Sequence, residues 1–331
     1  MAGTPDHMLE TPNLDLLSDV LRRMHLASAV FLRGEFSAPW GFVSADEATL
    51  ARVLVPGAQR LVLLHVAVEG RFRISLASGE SAQASEGDAV VLPYCDVHTV
   101  RFPDDAQAVP IVELLPPPPW SELPVVCRSE GGGAPTRLLC GYLSCADLLF
   151  SPILQALPRL LHLRPSSPSA AQWRTASVRY TLESAGRPGG EALAARLLEA
   201  VLADCLRQHV EQMPPEQTGW LAALRDPVIG RAMVLLHARP EAAWTVEGLA
   251  RRVAVSRSVL AERFRRLLGV SPMRYLTQWR LQLAADLLRR TQLGMAALAE
   301  RVGYESEAAF SRAFKRHVGV SPAGWREKRA A

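Results

Sequence analysis

The chain has 331 residues, of which 49% are hydrophobic, 21% charged and 6% aromatic, a composition typical of a folded protein large enough for two domains. No apolar run reaches membrane-spanning length and no signal peptide is recognisable, so the sequence argues against a membrane-embedded or secreted protein, and its five cysteines are expected to be reduced in a cytoplasm. The formal net charge of +4 is unevenly distributed, because residues 241–331 carry 17 Lys and Arg against 8 Asp and Glu, whereas the first 240 residues carry 20 against 25. A polyanionic partner is therefore expected at the C-terminal part.

Short strands are predicted in the N-terminal part. Residues 61–68 are almost entirely apolar, residues 71–76 alternate between polar and apolar, and residues 89–92 follow a Gly-Asp turn. Strands this short and regularly spaced favour a small antiparallel barrel or sandwich. The spacing of Gly87, Pro93 and His98 also resembles that of the second cupin motif, although Cys95 stands where cupins usually have glycine. We therefore expect a cupin-like antiparallel β-barrel.

The histidines of this part leave two interpretations open. Cupin enzymes generally bind a metal ion through a His-x-His pair, a Glu and a later His. Here His65 is followed two residues later by Ala67, so the pair is incomplete. His65 alternates with Leu61 and Leu63 on one strand face and is either a core or ligand-pocket histidine or, together with His98, a metal ligand. Cys95 and His98 form a Cys-x-x-His loop that is weak support for a zinc site, so no cofactor is firmly implied and a metal ion at the cupin domain stays open.

The cysteines are candidates for redox sensing, which requires an accessible thiol of low pKa and commonly a second thiol that resolves the oxidised one. Cys205 lies in an apparent helix, whereas Cys140 and Cys145 lie five apart, so a regular strand would place them on opposite faces. The alternative is that most of the cysteines are small buried apolar residues. The redox candidates are Cys95, Cys127, Cys140 and Cys145. The residues expected at an effector or redox site are His65, Cys95, His98 and Cys140.

A helical region follows, with flexible breaks expected at residues 164–172 and 185–190 and a hinge at residues 238–243. The predicted helices are Ser151–Leu163, Trp173–Ser184, Gly190–Gln212 and Trp220–His237. The third helix carries an apolar stripe that requires cover from the barrel or from a second copy of the chain. The stripe consists of Leu193, Leu197, Val201 and Cys205.

The C-terminal part contains a duplication. Leu249-Ala-Arg-Arg-Val253 through Phe264 to Gly269-Val-Ser-Pro272 is matched by Leu298-Ala-Glu-Arg-Val302 through Phe314 to Gly319-Val-Ser-Pro322, with one extra residue in the second copy. Apolar residues at helical spacing on both sides of a break predict two helix-turn-helix units. Thr245 and Ser256 are predicted N-caps, and Gly269 and Gly319 are predicted to end the second helix of each copy. A long helix with an apolar stripe at residues 276–287 is expected to separate the copies.

The exposed face of each second helix is expected to meet DNA bases and phosphates. Arg312 is the strongest candidate for a bidentate contact to guanine, with a phosphate contact as its alternative. Arg257 could equally contact phosphate, and Glu262 could read cytosine or pair with Arg266. Further cations expected near the backbone are Arg263, Arg265, Arg266 and Arg316. The candidate DNA-binding residues are Arg257, Ser258, Ala261, Glu262, Glu307, Ala308, Ser311, Arg312 and Lys315.

The strings Ser256-Arg-Ser and Gly303-Tyr-Glu-Ser-Glu-Ala-Ala-Phe-Ser-Arg-Ala-Phe-Lys315 resemble the DNA-binding domain of the AraC/XylS family of bacterial transcription regulators. In that family the positions matching Ser258, Ala261 and Glu262 and those matching Glu307, Ala308 and Arg312 approach bases. The alanines offer only apolar contact, so DNA shape is expected to contribute to recognition. The first half is similar to the cupin-type sensor domain of one AraC subgroup, some of whose members respond to oxidants.

The resemblance implies an α+β protein in three parts. These are a cupin-like sensor at residues 1–150, a helical linker and dimerisation region at 151–235, and an all-α domain with two helix-turn-helix motifs at 236–331. The expected function is that of a cytoplasmic, nucleoid-associated transcription regulator, by family default an activator, rather than an enzyme. The expected partners are double-stranded promoter DNA, RNA polymerase, a small-molecule or oxidant effector and a second protomer, with no membrane. The alternative is a DNA-binding protein whose cupin domain is a metal-dependent enzyme.

Overall fold

The computed structural model describes residues 26–54, 61–116, 124–128, 132–145, 156–184, 187–214 and 216–327. These residues belong to two compact units that change over between Met213 and Pro214. The first unit contains all the described strands and two long helices, and the second is helical. None of the described helices is long and apolar enough to cross a membrane.

The strands of the first unit form two sheets. In chain order the strands are β1 (Leu26–Ser37), β2 (Trp40–Val43), β3 (Leu61–Glu69), β4 (Arg71–Leu76), β5 (Ser81–Ser85), β6 (Ala89–Leu92), β7 (His98–Phe102), β8 (Val109–Pro110), β9 (Val125–Arg128), β10 (Pro135–Cys145) and β11 (Leu161–Leu163). The larger sheet has the order β11-β6-β3-β10-β1-β9, and the smaller has the order β5-β4-β7-β2-β8. The three strands predicted at 61–76 and 89–92 are confirmed.

The predicted β-rich cupin-like domain is confirmed, but its description as one antiparallel barrel needs correction. The two sheets are separate, and each has a parallel pair at one edge, β9 with β1 and β8 with β2. Apolar side chains of both sheets share one core, in which Trp40 and Phe42 of the smaller sheet lie with Leu63 and Tyr142 of the larger. This arrangement is a sandwich, with its core between the two inner faces.

The helix predicted at Ser151–Leu163 is wrong at its C-terminal end, where Leu161–Leu163 form β11. Leu161 pairs with Val91 and Leu163 with Ala89, so this segment adds an antiparallel edge strand to the larger sheet. The backbone groups of β6 are available as hydrogen-bonding partners there, and long-range pairing outweighs the local helical preference of leucine. Residues 151–155 of that prediction, and the predicted end of the β-domain at residue 150, lie outside the described residues.

Two short helices, α1 (Glu47–Leu54) and α2 (Ile111–Leu114), connect strands, and two long ones, α3 (Pro168–Ser184) and α4 (Gly190–Gln212), follow them. Helix α4 has the predicted bounds. Helix α3 begins earlier than predicted, within the expected break at 164–172, because Pro168 suits a first helical position and Ser167 accepts a hydrogen bond from the Ala170 amide. The α4 stripe is covered within this unit at Val201 and Cys205, which are buried, whereas Leu193 is 41% exposed.

The second unit begins with α5 (Trp220–Arg225) and α6 (Pro227–Ala238), where one continuous helix was predicted. Pro227 interrupts the helix, and Asp226 caps α6 by accepting hydrogen bonds from the amides of Val228 and Ile229, both at 2.9 Å. The remaining helices are α7 (Val246–Arg252), α8 (Arg257–Leu268), α9 (Pro272–Arg290), α10 (Met295–Arg301), α11 (Glu307–Val318) and α12 (Pro322–Glu327).

Candidate functional site

Two helix-turn-helix units are present at the predicted positions. We call α7 with α8 the first head and α10 with α11 the second head. The predicted caps are confirmed in the first head, where the Thr245 hydroxyl accepts from the Gly248 amide at 3.0 Å and the Ser256 hydroxyl accepts from the Val259 amide at 3.2 Å. Gly269 and Gly319 end α8 and α11 with φ angles of +70° and +86°, a conformation that glycine adopts without strain.

Each head has its own apolar core, and α9 contributes to both. Leu260 and Phe264 of α8 are fully buried in the first head, and Phe310 and Phe314 of α11 pack in the second against buried residues of α9 such as Leu288. Helix α9 has 19 residues, which corresponds to about 28 Å at the rise of an α-helix. A rigid spacer of this length is comparable with one turn of duplex DNA, roughly 34 Å.

The outward faces of α8 and α11 carry the candidate DNA-binding residues. Ala261 and Ser311 are half-buried, and the other seven are exposed: Arg257, Ser258, Glu262, Glu307, Ala308, Arg312 and Lys315. The sequence prediction did not include Val259, whose side chain is 38% exposed on α8. An exposed valine at the start of a recognition helix is suited to apolar contact with a thymine methyl group. The sequence could have indicated this residue, because Val259 lies outside the buried stripe of Leu260 and Phe264.

One cation assigned to DNA from the sequence has an intramolecular partner. Arg263 Nη1 lies 3.5 Å from Asp226 Oδ1, the oxygen that also caps α6. This interaction attaches α8 to the α5–α6 segment instead of leaving Arg263 on the outer face. A second contact attaches α5 to α9, because the Trp220 indole donates to Tyr275 Oη at 2.8 Å.

A junction around Arg280 joins α9 to both heads. Its Nε and Nη2 atoms donate to the carbonyls of Pro240 and Ala242, at 2.7 and 2.9 Å, just before the first head. The guanidinium also lies 6.0 Å from the ring centroid of Tyr304 in the turn of the second head. Gly303 has φ +85°, and a Cβ there would lie 2.7 Å from Arg280 Nη2. No sequence pattern identified Arg280, because its hydrogen-bond partners are backbone carbonyls.

The first unit contains a buried group of histidines and a thiol. Strand register places His65 of β3 directly opposite Cys140 of β10, and His65 Nδ1 lies 3.1 Å from Cys140 Sγ. On the other side of the ring, His65 Nε2 lies 2.9 Å from His98 Nε2. Both histidines are 1% exposed, and Cys140 is 4% exposed. The structure therefore brings together three of the four residues expected at the effector or redox site.

Hydrogen-bond complementarity determines where the protons of this group lie. His98 Nδ1 lies 2.8 Å from the Asp96 carbonyl oxygen and must donate to it, which leaves His98 Nε2 as an acceptor. His65 Nε2 is then the donor between the rings, and His65 Nδ1 accepts from the Cys140 thiol. All three groups are neutral. Burial lowers the pKa of His98 to about 4, and burial together with His98 lowers the pKa of His65 well below 6.5.

The donor set does not fit a cupin metal site. The two Nε2 atoms converge, but Cys140 lies at the opposite nitrogen of His65. Among the described residues no group of three His, Cys, Asp or Glu is placed to hold an ion. An open catalytic site for an iron or zinc ion needs three protein ligands.

The thiols differ from the expected redox pattern. Cys95 and Cys140 are buried, and burial raises the pKa of Cys140 to about 12, whereas a reactive thiol is accessible and has a lowered pKa. Neither thiol is accessible in this structure, and their assignment to an effector or redox site stays a prediction. Cys127 is exposed, Cys205 is buried in α4, and the side chain of Cys145 lies outside the described residues.

The chain is similar to known protein families over most of its length. The profile of a family described as Cupin matches residues 15–211, and that of a family described as Helix-turn-helix domain matches residues 249–328. The first profile covers more than half of the chain, and the second covers both heads except for the first three residues of α7.

Three relatives extend this similarity. The chain is 30% identical to the HTH-type transcriptional regulator AlkR of Acinetobacter baylyi over 95% of this chain and 100% of that protein. It is 32% identical to a putative AraC-like transcription regulator of Streptomyces lividans over 95% and 98% of the two chains. It is 26% identical to the RCS-specific HTH-type transcriptional activator RclR of Escherichia coli over 82% and 86%.

Proposed function

Since the chain belongs to the family of AraC-like DNA-binding transcription regulators with an N-terminal cupin domain, we propose that it reads two successive major grooves of promoter DNA with its two heads and responds to a small-molecule effector through its cupin domain. The observation that carries the proposal is the pair of recognition helices, α8 capped by Ser256 and α11 capped by Ser306, on either side of α9. Their exposed faces combine cations with small side chains, as base reading beside phosphate contacts requires.

Within these faces we assign base contacts to Arg312 and to the small residues Ser258, Ala261 and Ala308. Arg257 and Lys315, which are exposed, are assigned to phosphates. Glu262, Glu307 and Ser311 complete the surface that meets the groove. Because few of these side chains make bidentate contacts to bases, DNA shape contributes part of the specificity.

We assign residues 1–150 to the sensor, 151–235 to a linker and dimerisation region, and 236–331 to DNA binding. The contacts of Trp220 with Tyr275 and of Asp226 with Arg263, together with the unit boundary at Pro214, support moving the start of the DNA-binding domain from residue 236 to Pro214. The exposed apolar residues Trp173, Tyr180 and Leu193 on α3 and α4 support a homodimer formed through these helices.

A small molecule is favoured over an oxidant as the effector, because the Cys140 thiol is buried, neutral and hydrogen-bonded to His65. We propose no enzymatic role for the cupin domain, because its two histidines lack a third ligand among the described residues. Activation is proposed because the chain is similar to RclR, a transcriptional activator. RNA polymerase is proposed as the partner and the bacterial cytoplasm as the site of action.

The testing experiment is a mobility-shift titration and footprint of the full-length protein on its own upstream DNA with excess nonspecific duplex. We expect protection of two segments about one helical turn apart. Absence of any sequence-specific footprint on that DNA would refute the proposal that the protein regulates transcription from it by sequence-specific binding. A shift that changes with mild peroxide in the wild type and is insensitive to it in Cys140→Ser would refute the preference for a small-molecule effector.

A further inference from the structure

A pocket of about 580 Å³ lies beside the first head, within the second compact unit. Trp244 forms one wall, and the side chains of Arg239, Arg251 and Arg252 line it together with Gly248. The Trp244 indole donates to the Arg239 carbonyl at 2.8 Å, which holds the wall in place. None of these residues was assigned a role in DNA recognition above.

The pocket has an excess of positive charge. Arg239 Nε lies 3.8 Å from Glu241 Oε1, a long ion pair. The Arg252 guanidinium lies 5.6 Å from the Trp244 ring centroid. Among the described residues, Arg251 and Arg252 have no carboxylate partner within ion-pair distance. Arginine side chains grouped around a concavity, with little acidic compensation, are suited to an anion that several guanidinium groups can contact together, above all a phosphate.

The second head lacks this arrangement, although it derives from the same repeat. The position of Trp244 is occupied by Leu293 and that of Arg251 by Glu300, and only Arg252 has a cationic counterpart, Arg301. The two heads have the same fold and equivalent apolar cores, and Ser256 and Ser306 cap their second helices. Only the first helix differs at its cap, because α10 has Gly294 as its N-cap, without the side-chain hydrogen bond that Thr245 gives α7. The pocket is therefore not needed to form a helix-turn-helix unit, and its cations are a property of the first head alone.

The position of the pocket relates it to the DNA-reading helix. Arg251 and Arg252 lie in the last turn of α7, and only four residues, 253–256, connect that turn to the start of α8. A phosphate in the pocket would therefore lie close to the start of the recognition helix. Phosphate contacts beside a recognition helix set its register on the duplex.

We propose that this pocket holds a phosphate group of the DNA backbone and makes the first head the more strongly anchored of the two. This inference rests on the proposed DNA-binding function and extends it to residues outside the recognition helices. A free phosphorylated metabolite presents the same chemical group, so the test separates the two sources.

The test compares the DNA affinity of full-length wild-type protein with that of the Arg251→Gln/Arg252→Gln variant on the footprinted DNA. The salt concentration is varied over roughly 50 to 300 mM, where phosphate contacts contribute strongly to affinity. We expect affinity to fall roughly tenfold at a fixed salt concentration. The slope of log affinity against log salt should decrease in magnitude by about 1 to 2. The matched control is Arg231→Gln/Arg290→Gln, which removes the same charge from two exposed arginines of the same unit.

Each outcome has one meaning. A smaller slope in the pocket variant only, with protection lost first over the segment bound by the first head, supports the proposal. Equal changes in the pocket and control variants overturn it, because they show a general charge effect. Calorimetry without DNA measures whether wild type binds pyrophosphate and whether the pocket variant loses that binding. If it does, and the salt slope for DNA is unchanged, the DNA assignment is overturned in favour of a free phosphorylated ligand. Failure of the proposed function is separate, since it would appear as wild type without a specific footprint.

Discussion

The Nε2 atoms of His65 and His98 lie 2.9 Å apart and hold one proton between them, with His65 as the donor. The pair links the two sheets, because His65 lies in β3 of the larger sheet and His98 begins β7 of the smaller. If His98 gains a proton, both Nε2 atoms carry hydrogen and the bond between the sheets is replaced by repulsion. If His65 gains a proton, it binds at Nδ1, which can then no longer accept the hydrogen bond from the Cys140 thiol.

The first prediction concerns pH. Both histidines have folded-state pKa values below the unfolded value of 6.5, about 4 for His98, so the unfolded state binds protons that the folded state does not. Their contribution to stability is present above pH 6.5 and is lost as pH falls from about 6.5 to about 4. For His98 the loss is on the order of 3 kcal/mol. Urea unfolding of full-length protein across this range measures it.

The control for this prediction is His98→Gln, which cannot titrate. We expect a smaller dependence of unfolding free energy on pH than in wild type, whatever the variant's stability at pH 7. Equal slopes in the two proteins would show that carboxylates elsewhere cause the acid sensitivity. Cys140 and Tyr142 stay neutral throughout this range, since burial raises the pKa of both. The Asp96 carboxylate, whose charge raises the pKa of His98, is present in both proteins.

The second prediction concerns thiol reactivity. A pKa of about 12 for Cys140 leaves about one part in ten thousand as thiolate at pH 8, and burial restricts access as well. Cys127 is exposed. In a native titration with a chromogenic disulfide, Cys127→Ser should lose one fast-reacting thiol, whereas Cys140→Ser should keep the wild-type fast phase. A fast phase lost in Cys140→Ser would contradict the structure around His65.

The third prediction concerns Arg312, which is exposed on α11. Arg312→Ala should weaken binding to the specific site by roughly 1–3 kcal/mol and relax preference at one base pair. Arg316→Ala, an exposed cation nearer the end of the same helix, is the control and should lower the affinity for all sequences alike. If Arg312→Ala changed only the salt slope, Arg312 would be a phosphate contact.

The fourth prediction concerns the distance between the heads. Arg280→Ala removes two hydrogen bonds to backbone carbonyls at the junction of both heads with α9. We expect weaker binding to the native site and reduced discrimination against DNA with one base pair inserted between the two protected segments. Arg290→Ala, at the exposed end of α9, should keep the discrimination. Weaker binding with full discrimination retained would show that Arg280 acts only on stability, which a thermal melt of the variant would reveal independently.

The helices of the C-terminal part were predictable because their determinants are local. Thr245 and Ser256 accept hydrogen bonds from amides only three residues further along the chain. Gly269 and Gly319 directly follow the helices that they end, and Leu260 and Phe264 recur at helical spacing. The break at Asp226-Pro227 had an equally local signal, a capping residue followed by proline, but the apolar pattern on both sides led to a prediction of one helix.

Contacts between distant segments could not be read in the same way. Leu161–Leu163 look helical in isolation and become a strand because β6 offers an edge. The thiol of Cys140 meets His65 across 75 residues through strand register, and His98 meets the same ring from the other sheet. Arg280 finds its partners among backbone carbonyls, which have no signature in a sequence.

The sequence by itself determined the duplicated heads, their caps and the distribution of charge, because these depend on side chains within about one helical turn of each other. Only the tertiary structure decided that the histidines are a neutral buried pair, that Cys140 is shielded from solvent, and that arginines gather beside Trp244 in one head and not in the other. Those outcomes depend on how sheets and helices pack, since packing sets both the desolvation of each ionisable group and the partner it meets.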